Sequence, residues 1–459
     1  MIITKCNPME RRTFIRTSVA AGMAAALPFP LPGNPASEKA RIGFIGVGLR
    51  GRNHLHNLLL RDDVVIPAIC DIDPGALAKS SEMMKKGGMA PAEAYTGSDY
   101  AYRDLLQRTD LDGVIISTPW LWHTRMAVDA MKAGKYAGVE VSAANTLQEC
   151  WDLVNTYEET GVPLMILENV CYRRDVMAVL QMVREGLFGE LIHARCGYQH
   201  DLREVKFNDG QQPYGGGVEF GEKGFSEAAW RTEHSLHRNG DLYPTHGVGP
   251  VATMMDINRG NRFLSMTASA TKSRGLHRYI VNHPEGGPGH PNARLRWKLG
   301  DVVTSTIQTA AGETIIVTHD VNSPRPYSLG FRVQGTGGLT EFDIHTRRIY
   351  VEGVSPEHRW EEMDAYLEKY DHPLWQKYGE FAEGSGHGGM DFFVDHAFVE
   401  IVKRKLESPL DAYDAAAWSA ITPLSERSID HNGEPQDFPD FTRGRWMKRN
   451  PVFALGADY

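Results

Sequence analysis

Over the first third of the chain, short apolar blocks alternate with segments of helical spacing. Arg41 to Ile45 reads as a buried strand, followed by a glycine-rich turn and a helical stretch from Asn53 to Leu60. Val64 to Cys70 predicts a second strand, Tyr102 to Gln107 a helix, and Gly113 to Ser117 a continuous apolar strand. The helix predicted over His123 to Ala133 repeats Ala127, Ala130 and Met131 on one face, the stripe of a core-facing helix. Gly134 stops it before another strand that ends at Glu140. Strands and helices in this alternation predict a parallel, doubly wound sheet, and ligands bind such sheets where the strands end. Trp120, Trp122, His123, Glu140 and Val141 all stand at such ends.

The pattern changes near Asn169. Leu191 to Tyr198, Phe263 to Ala270, Val302 to Thr309, Thr314 to His319, Phe331 to Gln334 and Thr340 to Asp343 read as strands, with Gly312-Glu313 turning a hairpin. They predict an α+β domain with an open, mainly antiparallel sheet, so the fold class is α/β with two domains. Glycine and proline make loops of residues 209–224 and 283–291. Phe392 to Leu406 and Tyr413 to Ser428 read as amphipathic helices, and Trp360 to Tyr378 as a surface helix and loop. The expected organisation is a leader over 1–36, a first domain over 37–168, a second over 169–431 and a surface tail over 432–459.

Composition narrows the function classes. With 459 residues, 49 basic and 58 acidic side chains, the net charge is −9 and no long basic run appears. Nucleic acid and anionic membrane surfaces are therefore poor partners, and a small molecule or glycan is the better expectation. Five cysteines without a C-x-x-C pair make structural thiols rather than a disulfide framework. His234 and His237 are three apart and His387 sits in Gly386-His387-Gly388-Gly389, but no third ligand at diagnostic spacing joins them, so no metal is expected. His387 either helps to close a pocket from its glycine loop or shapes a turn.

The N-terminus reads as an address. Arg11-Arg12-Thr13-Phe14-Ile15-Arg16 resembles a twin-arginine export signal, and the apolar run Val19 to Leu27 is too short to anchor the chain in a membrane. Cleavage near Ala36 would leave a periplasmic or secreted protein. That route carries folded proteins, so a tightly held cofactor could travel with the chain.

A cofactor motif follows at once. Gly46-Val47-Gly48-Leu49-Arg50-Gly51 is a G-x-G-x-x-G run between a strand and a helix. Gly46 permits the tight turn, Gly48 lets backbone approach a pyrophosphate, and Gly51 allows close helix packing, while the helix N-terminus offers N–H groups to the anion. Asp71 ends the second strand, where an acid accepts the ribose hydroxyls and repels a 2′-phosphate. The first domain is thus expected to be a Rossmann domain holding NAD.

These segments, together with Cys70-Asp71-Ile72-Asp73, Ser117-Thr118-Pro119 and His123, and Ala133-Gly134-Lys135 with Glu140, resemble the glucose-fructose oxidoreductase (Gfo/Idh/MocA) superfamily over about residues 41–170. Those enzymes usually read Glu-Lys-Pro where this chain has Glu140-Val141-Ser142, and in many the lysine assists hydride transfer. Its absence argues against an ordinary sugar dehydrogenase. Four later segments, Leu167 to Asp175, Ala194 to His200, Asn239 to Gly247 and Asn322 to Gly330, resemble glycoside hydrolase family 109, the NAD-dependent α-N-acetylgalactosaminidases. The resemblance implies NAD contacts at Leu49, Arg50, Asp71, Trp120, Leu121, Trp122, His123, Glu140, Val141 and Asn169. It implies a sugar pocket lined by Tyr198, Arg231, Tyr243, Pro244, Thr245, His246 and Tyr327, with Tyr243 between sugar and nicotinamide.

Such a family does not need the two flanking carboxylates of an ordinary glycosidase. Oxidation at sugar C3 acidifies the C2 proton; loss of that proton expels the C1 substituent, water adds, and the hydride returns, with configuration retained. Tyr198 is assigned as C2 base and His246 as acid/base at C3 or the leaving oxygen, with Arg231 and Tyr327 orienting the sugar. A phenolate at Tyr198 would require a nearby cation, such as Arg231. The expected substrate is a glycan ending in α-linked N-acetylgalactosamine. The alternative is a sugar oxidoreductase of the same superfamily with tightly bound NAD(P), and the exposed face of the second sheet is a candidate homodimer surface.

Overall fold

A computed structural model describes residues 39–459; the export signal expected over residues 1–36 lies outside the described residues. The N-terminal sheet contains β1 (Ala40–Ile45), β2 (Val64–Val65), β3 (Ala68–Cys70), β4 (Glu93–Tyr95), β5 (Gly113–Ile116), β6 (Tyr136–Val139) and β7 (Leu164–Ile166). All pair in parallel, in the order β4-β3-β1-β5-β6-β7 with β2 also on β1. Ile42, Phe44, Val114, Ile115 and Ile116 are buried, as expected of strands covered on both faces. The strand predicted over Val64 to Cys70 is broken, because Pro67 has no N–H to give to a ladder. The strand ends are in register: Gly46 N–H donates to Cys70 O (2.8 Å), Ser117 N–H to Ile45 O (2.9 Å) and Glu140 N–H to Ile116 O (3.0 Å). Strand order reverses between β1 and β5, so a crevice opens where these ends meet.

The second sheet has nine strands: β8 (Leu191–Gln199), β9 (Phe263–Ala270), β10 (Val302–Thr309), β11 (Thr314–Asp320), β12 (Phe331–Gly335), β13 (Gly338–Phe342), β14 (Arg347–Val351), β15 (Glu361–Glu362) and β16 (Gln436–Asp437). Their order is β15-β14-β13-β12-β8-β11-β10-β9-β16, antiparallel except for the β8–β11 pair. The segment after Asn432 therefore contributes an edge strand to this sheet. The helix expected over Tyr413 to Ser428 is two helices, Ala412–Ser419 and Ile421–Asp430; Pro423 near the junction lacks the N–H that a continuous helix would use there.

Helix Met390–Arg404 crosses back onto the parallel sheet. A Cβ built on Gly138 of β6 would stand 3.0 Å from the Phe398 ring, so glycine there allows this close approach. Charged pairs fix the same helix to helix Leu49–Leu59. His54 gives Nε2 to Glu140 (2.8 Å) and Nδ1 to Asp395 (2.6 Å), and Asn57 donates to Asp395 (2.7 Å). With a carboxylate at each ring nitrogen, both must carry protons. Burial works against that charge, but Asp395 and Glu140 together outweigh it and raise His54 to about 9.

Candidate functional site

The glycine turn is built for two separate reasons. Gly46 has φ +87° and a Cβ there would lie 2.7 Å from Ser117 O, while a Cβ on Gly51 would lie 2.1 Å from Gly46 O. Those two glycines are demanded by the fold itself. A Cβ on Gly48 meets nothing within 4 Å, so that position faces open space. Leu49 and Arg50 begin the helix beside it, whose first N–H groups have no carbonyl partner within the helix. Asp71, at the end of β3, accepts Val47 N–H on Oδ2 (2.8 Å) and Asp73 N–H on Oδ1 (2.9 Å), which fixes its carboxylate beside the turn.

The other wall of the crevice is the start of helix Trp120–Lys132. Trp120 is buried; Leu121 is exposed, and Trp122 packs edge-on against Tyr100 with Arg125 over its ring. Both nitrogens of His123 face carbonyls, Ser142 O at 2.8 Å and Thr118 O at 2.7 Å. It therefore pins the two loops of the crevice rather than offering a free nitrogen to a ligand. Arg50 is also largely spent, on Glu140 (2.5 Å) and Asp391 (2.8 Å). Burial penalises the Glu140 charge, but Arg50 and His54 hold its carboxyl well below the usual range. Val141 is buried next to it, and Asn169 donates to Asp391 (2.7 Å) while its own Oδ1 is buried without a partner. The open space over Gly48, the fixed acid at Asp71 and the unpartnered amide oxygen of Asn169 fit a nicotinamide dinucleotide lying along the strand ends.

Next to Trp120 the second domain contributes an aromatic cluster. Tyr198 comes from the end of β8, Tyr243 and Pro244 from the turn before helix Thr245–Met254, and Thr245 and His246 from its first residues. Tyr198 lies 4.8 Å from Tyr243, 5.4 Å from His246 and 6.2 Å from Tyr327, centroid to centroid. Tyr243 stacks on Trp120 at 5.5 Å, which joins the cofactor crevice to the cluster. The Arg231 guanidinium stands over Trp120 (4.8 Å) and Tyr243 (5.2 Å) and pairs with Glu227 (2.6 Å). Gly247 brings helix and strand together: a Cβ there would meet Gly197 N at 2.5 Å. Tyr198, Arg231, Tyr243, His246 and Tyr327 thus gather in one cluster, whereas Pro244 and Thr245 are placed only as the start of the helix that carries His246.

Two residues not singled out in the sequence complete the cluster. Glu168, fully buried at the end of β7, holds His246 Nδ1 on Oε1 at 2.7 Å. His200, just beyond Tyr198, shares a 3.1 Å hydrogen bond between its Nδ1 and the Tyr198 hydroxyl. Burial depresses His200 to about 4, helped by the Arg231 charge, so the neutral ring accepts from the phenol. Burial also raises Tyr198, and more than Arg231 lowers it. With Arg231 as the nearby protein cation Tyr198 is therefore a neutral phenol, and its hydroxyl is hydrogen-bonded to His200. The spacing Tyr198-x-His200 was a readable signal, whereas Glu168 lies 78 residues from His246 and had none.

Of the histidines considered for metal, His234 packs on Trp120 at 5.0 Å, and burial with Arg238 lowers it to about 4. His237 faces Glu233. Among the described residues, no group of three or more His, Cys, Asp or Glu side chains is placed to hold a metal ion. Cys70, Cys150, Cys171 and Cys196 are buried free thiols.

Comparison with known proteins gives two family matches: "Oxidoreductase family, NAD-binding Rossmann fold" over residues 40–168 and "Glycosyl hydrolase 109, C-terminal domain" over residues 172–448. A glycosyl hydrolase family 109 protein of Stenotrophomonas maltophilia is 53% identical across 98% of this chain and 99% of its own length. An alpha-N-acetylgalactosaminidase of Tannerella forsythia is 52% identical across 97% of this chain and 99% of its own. Among solved structures, levoglucosan dehydrogenase with NADH and levoglucosan matches with TM-score 0.61 at 18% identity, covering 88% of this chain and 100% of that one. An inositol dehydrogenase homolog with NAD+ from Azotobacter vinelandii matches with TM-score 0.62 at 16% identity, covering 88% and 98%. At those identities the solved structures show a shared fold.

Proposed function

This chain belongs to glycosyl hydrolase family 109 and carries a nicotinamide-dinucleotide-binding domain, and on that premise we propose that it releases terminal α-linked N-acetylgalactosamine by transient oxidation at C3, elimination and addition of water. The observation that carries this reading is what stands in the pocket. The carboxylates beside the aromatic cluster are each paired, Glu168 with His246 and Glu227 with Arg231, and the rest of the cluster is phenols and imidazoles. That set moves protons at carbon and hydroxyl; it does not make the carboxylate pair of a direct displacement.

Gly48 to Arg50, Asp71, Glu140 and Asn169 would hold the cofactor, and the Asp71 carboxylate would favour NAD over NADP. Bound, it supplies reversible hydride transfer at C3. Glu168 fixes the Nδ1–H of His246, so that Nε2 is free to take and return the C3 hydroxyl proton. Tyr198, its hydroxyl held by His200, is the base at C2 and returns a proton there after water has added. Arg231, over the Trp120 and Tyr243 rings, and Tyr327 orient the sugar. Because the oxidation is reversed within each turnover, the protein needs no free nicotinamide, which suits a chain exported already loaded. The 52% identity to the Tannerella forsythia enzyme supports the choice of N-acetylgalactosamine.

The test uses purified protein and an aryl α-N-acetylgalactosaminide in deuterated water. The expected result is aglycone release without added NAD and deuterium at C2 of the released sugar. Release without deuterium at C2 would mean direct displacement, and oxidation of the sugar without release would mean a dehydrogenase.

A further inference from the structure

Beside Arg231 lies a small cavity of about 10 Å³, room for one water or one small ion. Lys206, Arg231, Ser235 and His319 supply polar groups to its wall, and Leu202 and Leu299 apolar ones. Lys206 is 2% exposed and can carry three N–H donors, yet its ammonium makes one hydrogen bond, to Asn322 Oδ1 (2.6 Å). His319, also 2% exposed, has its Nδ1 buried with no partner. Ser235 is buried as well, and among the described residues no carboxylate lines the cavity. The carboxylates whose charge reaches Lys206 are engaged elsewhere. Asp301 accepts the N–H groups of Arg274 (2.8 Å) and Gly275 (2.9 Å), and Asp320 accepts Arg325 on Oδ2 (2.7 Å) while its Oδ1 is buried without a partner. Glu227 pairs with Arg231 (2.6 Å).

Two cations on one buried wall repel each other, and taking them out of water adds to the cost. Burial and the Arg231 charge accordingly push the Lys206 ammonium well below the usual lysine range. Burial, with the charges of Lys206 and Arg231, lowers His319 to about 3, so its ring is neutral and can keep its one proton on Nδ1 and donate it. A water in the cavity would have to place two protons of its own, and the wall offers no anion to take them. An anion only accepts, and it would stand between the two cations. We propose that this cavity binds one small monovalent anion, chloride in ordinary media, held by Lys206 Nζ, the Arg231 guanidinium, Ser235 Oγ and His319 Nδ1. The anion lets both cations stay protonated at close quarters, and it steadies Arg231 over Trp120 (4.8 Å) and Tyr243 (5.2 Å). The site stands whichever reaction the neighbouring pocket performs.

The test starts from purified protein exchanged into sodium gluconate, whose anion is too large for the cavity. Crystals soaked in sodium bromide, a halide with strong anomalous scattering, should show an anomalous peak in contact with Lys206 Nζ and His319 Nδ1. In solution, replacing gluconate by chloride at constant ionic strength should raise Tm along a saturating curve, by roughly 2 to 5 °C once chloride far exceeds its Kd. Lys206→Met keeps the length of the side chain without its charge and should lose that shift. Where Lys206→Met yields too little folded protein, the bromide map of the wild type decides alone. A cavity without bromide, or a wild-type Tm indifferent to chloride, would overturn the proposal. So would a chloride shift that survives intact in Lys206→Met, because the anion would then be bound elsewhere.

Discussion

Replacing Glu168 by glutamine tests the link between β7 and His246. Glu168 Oε1 meets both His246 Nδ1 (2.7 Å) and Val170 N–H (3.1 Å), while Oε2 is buried without a partner. In Glu168→Gln the Val170 N–H requires an oxygen at the same place, so the amide cannot turn its NH2 toward His246 and the histidine tautomer is kept. What changes is that a charge-assisted hydrogen bond becomes a neutral one. Such bonds differ by about 1 to 1.5 kcal/mol, and about 1.4 kcal/mol is tenfold in rate. The expected outcome is a kcat roughly tenfold lower, with KM and bound NAD little altered. Glu168→Ala removes the acceptor altogether and frees the ring to rotate, so its loss should reach about 10²-fold to 10⁴-fold. Steady-state release of an aryl glycoside, with bound dinucleotide read by absorbance, measures both. If Glu168→Gln turns over within twofold of wild type, His246 is not working through that carboxylate, and the role given to it at C3 is wrong.

Gly48→Ala should fold with an unchanged Tm but retain dinucleotide at least tenfold more weakly, since its Cβ has open space in the protein and only a pyrophosphate to meet; Gly51→Ala, 2.1 Å from Gly46 O, should fail to accumulate as folded protein, and comparing melts with dinucleotide content separates the two. Arg231→Lys keeps the charge but loses the guanidinium contact over Trp120 and Tyr243, worth about 0.5 to 2 kcal/mol, so KM for the sugar should rise by about twofold to thirtyfold with bound NAD unchanged, and an unchanged KM would remove Arg231 from the sugar pocket. His54 is raised to about 9 in the folded protein, so its contribution to stability is complete below its unfolded pKa of about 6.5 and is lost as pH rises through about 9. Melting temperature should therefore fall between pH 7 and pH 9.5 in wild type and fall less in His54→Asn, where the protonated ring is gone; identical slopes would contradict the doubly protonated histidine.

What could be read from the sequence was what is local in the chain. Gly46 to Gly51 between a strand and a helix, and Asp71 one strand later, dictate a turn and an acid within about two dozen residues, because hydrophobic period and glycine conformation act over a few residues at a time. The same kind of reading broke down where a nearby proline mattered, as at Pro67 and Pro423, and it passed over helix Leu147–Thr160 although Thr146 and Glu149 form its capping box. The family resemblance then named Tyr198, Arg231, Tyr243, His246 and Tyr327 before any geometry was known. Tertiary structure alone decided how those side chains are charged and aimed. Asp391 lies 341 residues from Arg50 and 222 from Asn169, and Glu168 78 residues from His246. No period or spacing along a chain encodes such pairs, since they exist only once helix Met390–Arg404 has folded back across the parallel sheet. Burial, rather than residue type, keeps Tyr198 a phenol and His200 neutral, whereas the facing carboxylates Asp395 and Glu140 keep His54 protonated against burial.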